Sequence, residues 1–138
     1  MAYITTKMKR QQIKDDVFNL ISPGKIAVKC GCEMYRLQGV VIHARFCASG
    51  AGNYKFNINH ITLRADYEVW ICGSKDHWYL IPIHSIRNMY NHPSAYPDNH
   101  HPGIRVVSVD ATTHRAGYAS RSIKLDLTPY FQASLSMG

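Results

Sequence analysis

The sequence predicts an α+β domain: one amino-terminal helix, a run of strands forming a mixed sheet, and short carboxyl-terminal helices. Three observations carry this. Residues 5–20 place Met8, Ile13, Val17, Phe18 and Leu20 mostly at helical spacing, with no Pro or Gly among them. From Lys25 onward, β-branched and aromatic residues gather in short runs separated by Gly, Ser, Asn and Asp, as strands and turns do. Near the end, Thr128 and Pro129 supply a cap and a first-turn proline for a last short helix. The sheet should hold about six or seven strands. With 138 residues and a hydrophobic fraction of 46%, the chain suits one core and one domain, residues 1–138.

Taken in order, the helix begins at a Thr5 or Thr6 cap and stops at Ser22-Pro23-Gly24. Strands are expected over 25–31, 36–47, 53–60, 66–73 and 77–82, all in one sheet. Gly39 suggests a bulge, residues 48–53 a flexible turn, and 73–76 a hairpin link. Residues 84–90, after Pro82, form a short helix, and 91–102, with three prolines, form a loop. Two further strands, around 104–110 and 121–127, are separated by a polar stretch. Val41 and Ile71 lie in uninterrupted apolar runs and should be buried.

Sixteen Lys and Arg against nine Asp and Glu give a net charge of +7. That excess favours a polyanionic partner such as nucleic acid or an acidic membrane surface. No amphipathic basic helix and no long apolar run points to a membrane, so a cytoplasmic location is expected. Cys30, Cys32, Cys47 and Cys72 lie in apolar surroundings and read as small reduced core residues. C-x-C spacing is poor for zinc, and no resident metal is expected. His92, His100 and His101 gather with Asp98 in the proline-rich loop, which reads as solvated.

Several stretches, "VIHARF", "RADYEVWICG", "WYLIPI" and "LDLTPYF", occur in an order that resembles the PD-(D/E)XK nuclease-like superfamily. The likeness is to small members related to group I intron-associated homing endonucleases and archaeal-type resolvases. It implies a restriction-endonuclease-like fold and an Mg²⁺ site built from an aspartate on one strand and Asp/Glu-x-Lys on the next. The chain departs from that pattern. On one register the acid falls at Val41 and the lysine at His43; on another, at Ala27 and Lys29. Neither register supplies the carboxylate. Glu33, Asp15, Asp16 and Asp66 are the acids available as substitutes.

The expected function is therefore DNA binding by a nuclease-like fold with an incomplete metal site, regulatory or accessory in a mobile element or defence system. Lys7, Lys9, Arg10, Lys14, Lys29, Arg36, Arg45, Lys55 and Arg64 would hold phosphates, with Tyr90 and Tyr96 near a groove. His43 and Arg45, two apart on one strand face, would contact phosphate directly, His43 mainly below pH ~6.5. An active Mg²⁺-dependent endonuclease or resolvase, with Glu33 and His43 in catalytic roles, is the alternative. A protein-interaction module is the third. An exposed apolar edge such as Val40–Ile42 would permit a homodimer.

Overall fold

Residues 6–48, 52–93, 95, 100–118 and 124–135 are described by the structure, a computed structural model. Helix α1 spans Thr6–Ile21. The strands are β1 (Val28–Gly31), β2 (Met34–Leu37), β3 (Val40–Cys47), β4 (Asn53–Asn59), β5 (Tyr67–Cys72), β6 (Trp78–Pro82), β7 (Ile104–Asp110), β8 (Arg115–Gly117) and β9 (Lys124–Asp126). Helix α2 covers Ile83–Tyr90, and 3-10 turns occupy His60–Arg64 and Thr128–Tyr130. No helix among the described residues is long and apolar enough to cross a membrane.

The strands divide between two sheets, which corrects the single sheet expected. Five form a mixed sheet in the order β1-β2-β3-β5-β6, and four form an antiparallel sheet in the order β4-β7-β8-β9. Strands β3 and β5 run parallel, so the chain must cross over between them. The crossover contains β4, which leaves the first sheet and founds the second by pairing along β7 from Asn53↔Asp110 to Asn59↔Ile104. Its alternation explains why: Phe56 and Ile58 are buried while Lys55 and Asn57 are exposed, a strand with one dry face. Strand β5 is different. Glu68 to Cys72 are all buried, because this strand is covered on both sides.

Two cores follow from that. On one face of the five-stranded sheet, Ile42, Ala44, Val69, Ile71, Trp78 and Leu80 pack with Val17, Phe18 and Ile21 of α1. On the other, Trp70, Cys72, Tyr79 and Ile81 meet Phe56, Ile58, Val107 and Val109 of the four-stranded sheet, with Ile86 and Met89 of α2. The mixed sheet is thus the middle of three layers. Phe56 stacks on Trp70 with ring centroids 5.0 Å apart and planes 8° from parallel, fixing how the two sheets meet.

Several expectations are corrected by local geometry. The run 36–47 is not one strand but a tight hairpin, turned at Gln38 (φ 53°) and Gly39 (φ 83°). Positive φ at both central residues matches the twist of the flanking strands, so Gly39 is a turn residue and not a bulge. Val41 is only half-buried, since its register partner Arg36 is exposed and the second sheet does not reach that far. Val40–Ile42 is paired to β2 and Ile42 also to β5, so it offers no free edge. Cys30 and Cys32 are exposed, not core: Cys30 lies on β1, an edge strand with every residue in solvent, and Cys32 in the turn that follows it. The polar stretch after β7 contains β8, and the last helix is only the turn Thr128–Tyr130. Thr5, residues 49–51, Tyr96, Asp98 and residues 121–123 lie outside the described residues.

At the β6 edge, Phe131 forms an isolated bridge with Tyr79, and Gln132 donates its N–H to the Trp78 carbonyl. Beside them the Tyr79 hydroxyl lies 2.8 Å from His77 Nε2 and 2.7 Å from His114 Nδ1. Phe131 covers both imidazoles at 4.9 and 4.5 Å.

Candidate nucleic-acid interface

Strand β3 is longer than its neighbour β2, and the site follows from that mismatch. The last rung of their ladder pairs Met34 with His43, after which the Ala44 N–H reaches back to the Glu33 carbonyl. Arg45, Phe46 and Cys47 continue beyond the β1–β2 hairpin, paired on the other side with β5. A cleft of about 610 Å³ opens there. Its floor is His43 to Phe46; α1 contributes Arg10 and Lys14, the β1–β2 turn Cys32 and Glu33, and β4 with the following 3-10 turn Lys55, Asn57, Asn59 and Thr62. Glu33 sits at φ 56°, a left-handed conformation that costs a non-glycine residue about 1–2 kcal/mol. That turn places its carboxylate against the Lys14 ammonium.

Beneath the cleft lies Glu68, fully buried on β5 and in register with His43. Its Oε1 accepts from Trp70 Nε1 at 2.9 Å and lies 3.5 Å from Arg45 Nε; its Oε2 lies 3.4 Å from Thr62 Oγ1 and 3.9 Å from His43 Nδ1. Burial pushes the Glu68 carboxyl up, while Arg45, Trp70 and Thr62 hold it down. His43 is 4% exposed. Burial, then the Arg45 and Lys14 cations, push its imidazole down to about 3, so the ring is neutral at physiological pH. This corrects the expectation of a histidine that charges below pH ~6.5 and grips phosphate. At 3.9 Å no hydrogen bond to Glu68 is closed, and His43 Nδ1 and Arg45 Nε are buried without a hydrogen-bond partner.

Of the nine cations expected to hold phosphates, Arg10, Lys14, Arg45 and Lys55 line this cleft. Lys7 shares the helix face of Arg10 and Lys14, at spacings of three and four, and extends it by one turn. Lys9, Lys29, Arg36 and Arg64 are exposed elsewhere. Arg10 is held over the Phe46 ring, 5.2 Å from its centroid. Tyr90 is turned to its own loop, where it donates to the Gly103 carbonyl and carries Arg105 on its ring.

The acids do not assemble a metal site. Glu33 is matched with Lys14 and Glu68 with Arg45. Asp66 accepts the Val41 N–H at 2.8 Å, tying the start of β5 to β3. Asp15 and Asp16 accept from Gln11 and Gln12 along α1. Among the described residues no three His, Cys, Asp or Glu side chains gather to hold a metal. The donor set therefore does not fit the Mg²⁺ that the nuclease resemblance implies, because each candidate carboxylate already faces a cation or a donor.

Glu68 was not among the residues expected from the sequence. Its signal was present: it is the single charge inside the apolar run "YEVWIC", and a charge there must be paired. No protein-family model matches the chain, and no match was found among curated proteins or solved structures.

Proposed function

We propose that the protein binds the phosphate backbone of nucleic acid, double-stranded DNA first, through the β3 cleft and the basic face of α1 beside it. One observation carries this: four cations from three separate elements converge on one cleft lined by a single acid, Glu33, with Glu68 buried beneath it. Lys14 and Arg45 each balance one acid, which leaves Arg10 and Lys55 as excess positive charge at the mouth. The cleft has room for a nucleotide-sized group. A resemblance to the PD-(D/E)XK fold is in keeping with a mixed sheet behind an amino-terminal helix, and we read the chain as a member whose metal chemistry has been replaced by the Arg45–Glu68 pair. An accessory role in a mobile element or defence system belongs to that reading.

Fluorescence anisotropy with a DNA duplex, titrated between about 50 and 200 mM salt, tests it. Affinity should fall steeply with salt, and Arg10→Ala with Lys55→Ala should together lower the log–log slope by about two units without changing the melting temperature. Binding that ignores salt would instead favour a protein-interaction module. Mg²⁺-dependent cutting of the same duplex would favour an active endonuclease.

A further inference from the structure

We propose that His43 and Glu68 form a base dyad that cleaves RNA in this cleft without a metal ion, the strand's own 2′-hydroxyl serving as nucleophile. The inference rests on the reading of the cleft as a backbone site and adds a reaction to it.

The geometry is that of a carboxylate behind an imidazole. Glu68 is fully buried, in register with His43, and its Oε2 is the acid oxygen facing His43 Nδ1. That nitrogen is sealed from solvent and unpartnered, yet His43 lines the cleft. The nitrogen left for a ligand is Nε2. A buried polar atom without a partner is unfavourable; with Nε2 as the base the neutral ring carries its hydrogen on Nδ1, and that Nδ1–H gains its partner by closing on Glu68 as Nε2 takes a proton. Such contacts are commonly long in the empty enzyme and tighten around substrate. The ring is neutral in the empty cleft, which is the form a base requires. Burial first, then the Arg45 and Lys14 cations, hold it there, and an anionic phosphodiester would offset the cationic part.

The substrate class follows from what the cleft lacks. Among the described residues no ligand set gathers for a metal, and the Thr62 hydroxyl is donated to the Asn59 carbonyl at 2.9 Å, so the oxygen best placed to attack is one carried by the strand itself. RNA brings one next to each phosphorus, and a well-placed intramolecular nucleophile acts like a reagent at about 10⁵–10⁸ M. His43 Nε2 takes the 2′-hydroxyl proton, the 2′-oxygen bonds to phosphorus, and the bond from phosphorus to the 5′-oxygen breaks. The departing 5′-oxygen is protonated from solvent, and the proton on His43 is released to it. Products are a 2′,3′-cyclic phosphate and a 5′-hydroxyl. Arg10 and Lys55, the cleft cations not matched by an acid, offset the charge that grows on the phosphoryl oxygens.

The experiment is to incubate the protein with a short mixed-sequence RNA oligonucleotide in EDTA, with the matching 2′-deoxy strand in parallel. The expected result is binding of both, cutting of RNA only, and cyclic-phosphate ends, which attack by water or by Cys32 would not leave. His43→Asn should lower cutting about 100-fold or more while RNA affinity stays within about twofold. Should that variant fold poorly, NMR titration of His43 in the wild type decides: saturation with the uncut deoxy strand should raise its pKa by at least about one unit, and an unchanged pKa would show that the ring does not face the bound phosphate and would sink the dyad. RNA bound but left whole in EDTA would sink the dyad and leave the backbone-binding reading intact. Cutting that survives His43→Asn would sink it too. Binding of neither strand would remove both proposals.

Discussion

Replacing Arg45 with methionine removes a cation from beside a carboxylate that has no access to water. Glu68 is fully buried, and Arg45 is 21% exposed through its side chain, so most of their interaction is shielded from solvent. After the change, Glu68 keeps Trp70 Nε1 at 2.9 Å and Thr62 Oγ1 at 3.4 Å, and no full positive charge. Breaking a buried ion pair from one side costs about 3–5 kcal/mol. The carboxyl has an escape: burial already raises its pKa, and without Arg45 that pKa rises further until the group takes a proton. A loss of about 3 kcal/mol corresponds to roughly two further pKa units. The folded state then holds a proton that the unfolded state has released, so stability falls as pH rises through the folded pKa and recovers below the unfolded value. Urea unfolding at pH 5 and pH 8 should therefore show the variant closer to wild type at the lower pH. The double variant Arg45→Met with Glu68→Gln should recover much of the loss at pH 8. A single variant that loses less than about 1 kcal/mol at pH 8, with no pH dependence, would show that the two groups do not share a dry site.

Three further outcomes are expected. Maleimide labelling should modify Cys30 and Cys32 quickly, because both are exposed, and Cys72 only on unfolding, because burial seals it and pushes its thiol up to about 12; mass spectrometry after short exposure reads this directly. Burial, then His114, holds the His77 imidazole below its ordinary range, so its contribution to stability is full above about pH 6.5 and is lost as pH falls toward the folded value; His77→Gln should flatten that part of the stability profile in urea titrations. Gly39→Ala meets open space but sits at φ 83°, so thermal unfolding should report a loss of about 1 kcal/mol from backbone strain alone.

The helix Thr6–Ile21 and strands β5 and β6 were legible because their signals are local: periodicity, alternation and flanking Gly or Pro. The split into two sheets was not. Strand β4 reads alike in either sheet, and only its long-range register with β7 decides between them. The exposure of Cys30, and of Cys32 in the turn after it, follows from β1 lying at an edge, a property of strand order that no local pattern encodes. In the cleft, His43, Arg45, Glu33, Arg10, Lys14 and Lys55 were singled out by charge and residue type. Their convergence depends on β3 outrunning β2. The altered titration of His43 depends first on its burial and then on the Arg45 and Lys14 cations; neither the burial nor the approach of Lys14, remote in sequence and adjacent in space, is written in the local pattern.

The hydroxyl of Tyr79, held between two imidazole nitrogens, has a single hydrogen to give. The ring that receives it must present a bare nitrogen, and the ring on the other side must present N–H. The tautomers of His77 and His114 are therefore tied in opposite senses, although the residues lie in different turns and belong to different sheets. If both rings became cationic, the hydroxyl would face two donors, and its own hydrogen would be stranded in a place with no solvent contact, since Tyr79 is 0% exposed. One shared hydrogen thus ties the tautomer at the edge of the middle layer to the tautomer of a turn in the outer one.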